Sequence, residues 1–279
     1  MKTMTDMRDD WVGLVKELAL NPIPDRMISS GIKYFNDVTF EISGEAWNNG
    51  FPVSLEDLGY GGKSTKLSQL KRNYLNLEEI WTAKEKIVER FEKKSDYTSV
   101  IFSMKGEDKD SRSQGHCMAN TVITVNPKNF VTGKPELKVD VYYRVTEVIK
   151  KFGADLIFLH DVVIPEALPQ PYLTPSCITR VKFHFSNIYF SPLFLPIMVP
   201  QMDVLFLLKK VSETQPYEAL RGCYNSLMNL TVNPEDYSYR SRRHMCQFLQ
   251  DAVGEDKFKY IDLLNKIRET HPKLREVPE

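Results

Sequence analysis

The chain contains no C-x-x-C pair. Its four cysteines, Cys117, Cys177, Cys223 and Cys246, and its five histidines are scattered, so neither a zinc ligand set nor a disulfide framework is indicated. Reduced thiols in a cytoplasmic setting are the expectation, with no metal. There is also no excess of either charge: Lys+Arg and Asp+Glu both number 37, and the net charge is zero. No global field draws such a chain to nucleic acid or to a membrane surface, and any anion site must be local. No apolar run is uninterrupted. The most apolar window, residues 188–208, is long enough to span a bilayer, but Pro192, Pro196, Pro200 and Asp203 break it, which makes it buried core. The opening MKTMTDMRDDWVGLVKEL lacks the apolar centre of a signal peptide. No internal repeat and no linker-like stretch divides the chain. The glycine-rich GYGGKS at 59–64 fails the phosphate-loop spacing, which requires four residues between the first Gly and the Gly-Lys pair, and is read as a turn.

What is present is an ordered succession of patterns. Trp11, Leu14, Val15, Leu18 and Ala19 recur at helical spacing over residues 7–20. Val38, Phe40 and Ile42 alternate with polar residues, which predicts a half-buried strand over 38–43. Two charged amphipathic helices are expected between Thr65 and Lys94, with Ile80, Trp81, Ile87, Val88 and Phe91 as the second apolar stripe. Strands follow at 98–104, in ANTVITV and in ELKVDVYYRV, then a short helix around VTEVIKKFG and the apolar run DLIFLHDVVI. A long strand is expected over 178–193, with alternation at Val181, Phe183 and Phe185, and a helical tail from Pro216. Strands in the middle with helices at both ends make this an α+β chain with one continuous core: a single domain over 1–279, with helical segments at 1–34 and 216–279.

Chemistry enters at GHCMANTV, where Cys117 stands at a loop-to-strand junction. A free cysteine here is ordinarily a packing residue, because thiols behave as small apolar groups. The order of features around it points elsewhere: a possible nucleophile, a turn, then a strand carrying Arg144 that leads to Glu147 and a helix. A nearby guanidinium favours a thiolate and can hold an anionic substrate. His116 is badly placed to serve as a base, because adjacent strand residues point to opposite faces; a Cys-His hydrolase built on His116 or His160 is therefore the weaker arrangement.

The segments CMANTV (117–122), VDVYYRVTEVIKKFGAD (139–155) and SNIYFSPL (186–193) give the chain an order that resembles the thymidylate synthase and pyrimidine hydroxymethylase superfamily, especially the phage-type deoxycytidylate hydroxymethylases. DVTFEISGEAW and HPKL are weaker echoes, and the resemblance covers roughly residues 35–200. It implies a thymidylate-synthase-like mixed sheet flanked by helices, a homodimer packed sheet to sheet, a pyrimidine nucleotide or nucleoside as substrate, and 5,10-methylenetetrahydrofolate as one-carbon donor. Cys117 would add to C6 of the ring and make C5 nucleophilic. Arg144 would touch phosphate and thiolate, and Glu147 would stand where the family's loop Asp stands. Asp155 would read the pyrimidine edge, and Asn187 and Tyr189 would hold the sugar. The family's paired arginines fall at Thr98 and Ser99, so Arg112 or the RSRR run at 240–243 would have to replace them. Its catalytic Glu falls near SQLKRNYL, where Gln69 and Lys71 stand instead. The alternative is a catalytically degenerate protein of the same fold that binds a nucleotide or a protein partner.

Overall fold

The computed structural model describes residues 6–60, 65–93, 98–104, 117–128, 133–170, 173–231, 254 and 257–275. Helix α1 (Met7–Leu20) forms where the stripe predicts it, capped by the Asp6 carboxylate, which accepts the Asp9 N–H. Seven strands build one mixed sheet: β1 (Arg26–Met27), β2 (Lys33–Ser43), β3 (Thr98–Ser103), β4 (Met118–Asn126), β5 (Glu136–Tyr143), β6 (Thr146–Glu147) and β7 (Ile178–Phe190). Their order is β1-β2-β7-β5-β4-β3, with β6 beside β7; β5 and β6 run parallel to β7, and the other pairs are antiparallel. The remaining helices are α2 (Gly44–Asn49), α3 (Thr65–Tyr74), α4 (Leu77–Glu92), α5 (Lys150–Phe158), α6 (Ile164–Ala167), α7 (Val204–Thr214), α8 (Tyr217–Thr231) and α9 (Lys257–Thr270). The α+β class and the mixed sheet flanked by helices are thus as the sequence predicts. One buried cluster runs from Met7 to Ile267.

The sheet has a covered face and an open one. Val139, Val141 and Tyr143 of β5 lie beside Val181, Phe183 and Phe185 of β7 on the covered face, and α5 inserts Phe152 edge-on among them, 5.1 Å from Phe183 and 5.2 Å from Phe185. Edge-to-face rings gain from their quadrupoles as well as from buried area. Gly153, the next residue, lets α5 approach closely: a Cβ there would meet Leu58 at 3.1 Å and Trp11 at 3.2 Å. On the open face Ile101 and Tyr142 are exposed, Tyr142 stacks on His184 at 4.6 Å, and Asp140 accepts from both His184 and Arg180.

Strand β2 begins five residues earlier than the alternation suggests, because its burial pattern changes phase. Val38 and Ile42 face the same side as Phe185 and Val181, whereas the buried residues nearer its start are Phe35 and Lys33. Asp37, between the two halves, has φ +52°, a conformation that Asp tolerates better than most residues. Strand β7 changes phase at the same level, from Phe185 to Ile188, and β4 from Thr121 to Met118, where the register with β5 shifts. Three strands therefore kink together. A cleft of about 480 Å³ opens at the kink, lined by Asp37, Ala119, Tyr142, Arg144, His184 and Ser186 among others.

The run DLIFLHDVVI is helical, one wide turn (Leu159–Val163) joining α5 to α6. The proline-rich window resolves into the end of β7, a tight turn at Pro192–Met198 and the start of α7. Among the described residues no helix is long and apolar enough to cross a membrane. Lys33, at the start of β2, is buried, and its ammonium donates to Ala19 O at 2.7 Å, Asn21 O at 2.9 Å and Gln215 Oε1. That clamp ties the end of α1 to the end of α7.

Candidate active site around Cys117

Cys117 sits immediately before β4, on the far side of the kink from the regular sheet. Its carbonyl accepts the Arg144 N–H at 2.9 Å, so the antiparallel β4–β5 pairing places these two residues side by side. Arg144 is exposed and also lines the open-face cleft. The Cys117 N–H donates to Tyr74 Oη at 3.4 Å, a long bond that reaches back to the last residue of α3. Four tyrosines, Tyr60, Tyr74, Tyr143 and Tyr189, lie within electrostatic reach of the thiol.

The carboxyl group beside the thiol is Asp155, which α5 presents one turn beyond Lys151. Burial pushes its pKa up to about 8, against the opposing pull of Lys151 and Tyr143, so it is mostly a neutral acid at pH 7. Its Oδ2 and the Tyr143 hydroxyl are both sealed from solvent and without a hydrogen-bond partner among the described residues. The two side chains lie against each other, and each shifts the other's pKa. Buried polar atoms are nearly always satisfied, so these two, set beside a thiol, make this the candidate place for a ligand or an ordered water.

Burial raises the Cys117 thiol pKa and the neighbouring Asp155 adds to that; Lys151, the Tyr74 hydroxyl and Arg144 pull it down, in that order. The sequence reading assigned support of the thiolate to Arg144, whereas the structure ranks Lys151 and Tyr74 ahead of it. Glu147 is fully buried, with its carboxylate accepting N–H groups of Ile149 at 3.0 Å and Lys150 at 2.6 Å, and those of Lys151 and Ser191. Burial lifts its pKa to about 7 in spite of these donors. Its place at the head of α5 suits the positive end of the helix dipole and makes Glu147 a positioning group for Lys151 and Asp155. The indole of Trp11 donates to Val148 O at 2.8 Å and locks the same loop.

Tyr189 joins the site: burial, then Glu147, Tyr34 and Cys117, push its pKa up to about 12. Asn187 does not reach the thiol. Its amide donates to Asn36 Oδ1 at 2.8 Å across the β2–β7 pair. His160 pairs with Asp161 and packs on Trp47, apart from the thiol. Arg112, His116, the RSRR run and Cys246 lie outside the described residues.

Sequence reasoning missed Tyr60, Tyr74, Tyr143 and Lys151. Two of these left a signal. Lys151 and Asp155 are four apart on a predicted helix, a pairing distance, and Tyr74 continues the stripe of Leu67 and Leu70 onto the buried side of α3. Tyr74 lies inside the very segment, SQLKRNYL, in which a catalytic carboxylate was sought. Among the described residues no group of three or more His, Cys, Asp or Glu side chains is arranged to hold a metal ion. The chain matches no protein-family model and no curated protein sequence.

Proposed function

We propose that this chain is a thymidylate-synthase-like enzyme that activates C5 of a pyrimidine nucleotide or nucleoside through Cys117. The observation that carries the reading is the convergence of the residues named by the resemblance: Cys117 is bonded through its main chain to Arg144, and Asp155 lies next to its thiol. In this reading the Cys117 sulfur adds to C6, and the displaced π electrons collect on the ring, making C5 nucleophilic. Asp155, as a neutral acid, offers one donor and one acceptor to the base edge, which suits the N3 and exocyclic amine of cytosine. Arg144 and Lys151 supply positive charge in place of the arginines missing at Thr98 and Ser99. Glu147 holds Lys151 and Asp155 in place from the head of α5. The orphan atoms at Asp155 and Tyr143 are accounted for by the pyrimidine, and no residue described at the site is assigned to a pterin. The sheet-to-sheet homodimer and the cytoplasmic setting belong to the same proposal.

A second reading, a protein that binds its ligand without chemistry, is favoured by the burial of Cys117, which holds the thiol above its ordinary range. Tritium release from 5-tritiated deoxycytidylate and deoxyuridylate separates the two. The enzyme reading expects release from the wild type and loss of at least a hundredfold in Cys117→Ala. No release from either nucleotide, together with a ligand-induced rise in melting temperature that Cys117→Ala retains, sinks the enzyme and leaves the binding protein.

A further inference from the structure

A second cavity, of about 340 Å³, opens where α8 crosses the turn between β1 and β2. Of the groups described around Cys117 it shares only Ser191, whose N–H serves Glu147. Main-chain contact sets its shape. Gly31, at φ +79°, and Gly222 of α8 pack so closely that a Cβ on Gly222 would meet Ser30 O at 2.5 Å and Gly31 Cα at 3.3 Å. Turn and helix are thereby held in one arrangement, which makes the cavity preformed.

Arg221 brings a charge to it. Its Nη2 donates to Ser29 O at 2.5 Å, and the guanidinium lies over the Tyr217 ring at 5.7 Å. These contacts fix the side chain but occupy one N–H of five. Among the described residues no carboxylate stands within ion-pair distance of Arg221. A fixed guanidinium with donors to spare presents the planar fork that matches a carboxylate. The side chains of Ser29, Ser30 and Asn225 line the same cavity, none of them hydrogen-bonded within the described residues, so each has a donor to offer. Ile32 and the half-exposed Leu193 add an apolar wall. Among the described residues neither an acidic side chain nor a second basic one lines the cavity. One positive charge matches a monoanion, whereas a phosphate monoester carries nearly two negative charges at pH 7.

We propose that this cavity is a binding site for a small aliphatic carboxylate, with Arg221 and the neutral donors taking the head and Ile32 and Leu193 the hydrocarbon chain. The site is independent of the chemistry at Cys117.

The test is an NMR titration of the full chain with hexanoate, its neutral isostere hexanamide, and inorganic phosphate. Hexanoate is expected to bind at millimolar concentration and to move the amides of residues 29–32 and 219–226, with hexanamide at least tenfold weaker. Arg221→Leu removes the charge but also the donor to Ser29 O. Asn225→Asp is therefore the second variant, because it turns one exposed amide into a carboxylate of the same shape. Each is expected to weaken hexanoate about tenfold, and Asn225→Asp to do so at an unchanged melting temperature. Hexanoate that binds Asn225→Asp as tightly as the wild type overturns the proposal. So do equal binding of hexanamide, displacement of hexanoate by phosphate at lower concentration, and the absence of any titration.

Discussion

Lys33 and Asp155 are both ionisable side chains with almost no exposure, 1% and 4% respectively, and the protein treats them in opposite ways. Lys33 is surrounded by acceptors: two carbonyls at the end of α1 and the Gln215 amide oxygen take its three hydrogens. Asp155 keeps one oxygen orphaned, next to an orphaned tyrosine hydroxyl. Cysteines follow the same division. Cys223, near Lys33, is completely buried with its pKa raised by burial to about 12, an inert thiol, whereas Cys117 is half-buried, and Lys151, Tyr74 and Arg144 offset part of the rise that burial and Asp155 cause. A satisfied buried charge is part of the scaffold. An unsatisfied buried polar group is a cost to the folded state, which is a reason to look for function there.

The contrast breaks most visibly at the scaffold end. Lys33→Met strips three acceptors of their donor and is expected to cost about 3 kcal/mol, read as a lower urea midpoint at unchanged m-value. If the loss is under about 1 kcal/mol, the clamp carries little of the stability and the distinction drawn here weakens.

The two regions also answer pH with opposite sign. The raised pKa of folded Asp155, about 8, means that its contribution to stability is complete below the unfolded value near pH 4 and is lost as pH rises through 8. Burial lowers the Lys33 pKa to about 8, so its contribution is present above the unfolded value near 10.4 and is lost as pH falls through 8. Wild-type stability should therefore fall between about pH 4 and 8, with Glu147 adding to the slope below pH 7. Asp155→Asn, which mimics the neutral acid, should flatten that decline. An identical slope in wild type and variant, measured by thermal melts across the range, would show that Asp155 is not held neutral.

The smallest effect belongs to Tyr143→Phe. Removing a hydroxyl that has no hydrogen-bond partner among the described residues should leave stability within about 1 kcal/mol of the wild type or slightly above it. The same variant should lose part of the nucleotide-induced rise in melting temperature. A clear loss of stability would place Tyr143 with Lys33 instead, as scaffold.

Much of this was legible in the chain, and the failures have physical reasons. Periodicity located α1, the strand pair around Cys117 and the long β7, because each has one face in the core. It lost the first five residues of β2, since the phase change at Asp37 moves Phe35 and Lys33 out of step with Val38 and Ile42, and a lysine does not advertise itself as buried. Cys117 and Arg144 could be placed side by side from the order of strands alone. Tyr74 could not: its contact spans 43 positions and depends on how α3 packs, which no local pattern encodes. The same is true of Tyr60. Asn187 is expected beside Tyr189 at the sugar because the resemblance implies that pair, but its amide is held by Asn36, and only the sheet register reveals that.

The phase change shared by β2, β4 and β7 has a consequence for how such a chain can vary over generations. A strand that gains or loses one residue turns all of its side chains beyond that point to the other face. Here β2 and its neighbour β7 turn over at one level, so a length change in one alone would set its upper half against a partner that had not moved, and a change in β4 would do the same against β5. Insertions and deletions are thus confined to the connecting loops, while these strands can alter in length only as a set. The register shift between Met118 and Asn120, next to Cys117, is thus tied to the phase changes at Asp37 and Ser186, and a length change at any one of them alone would mismatch its partner strand.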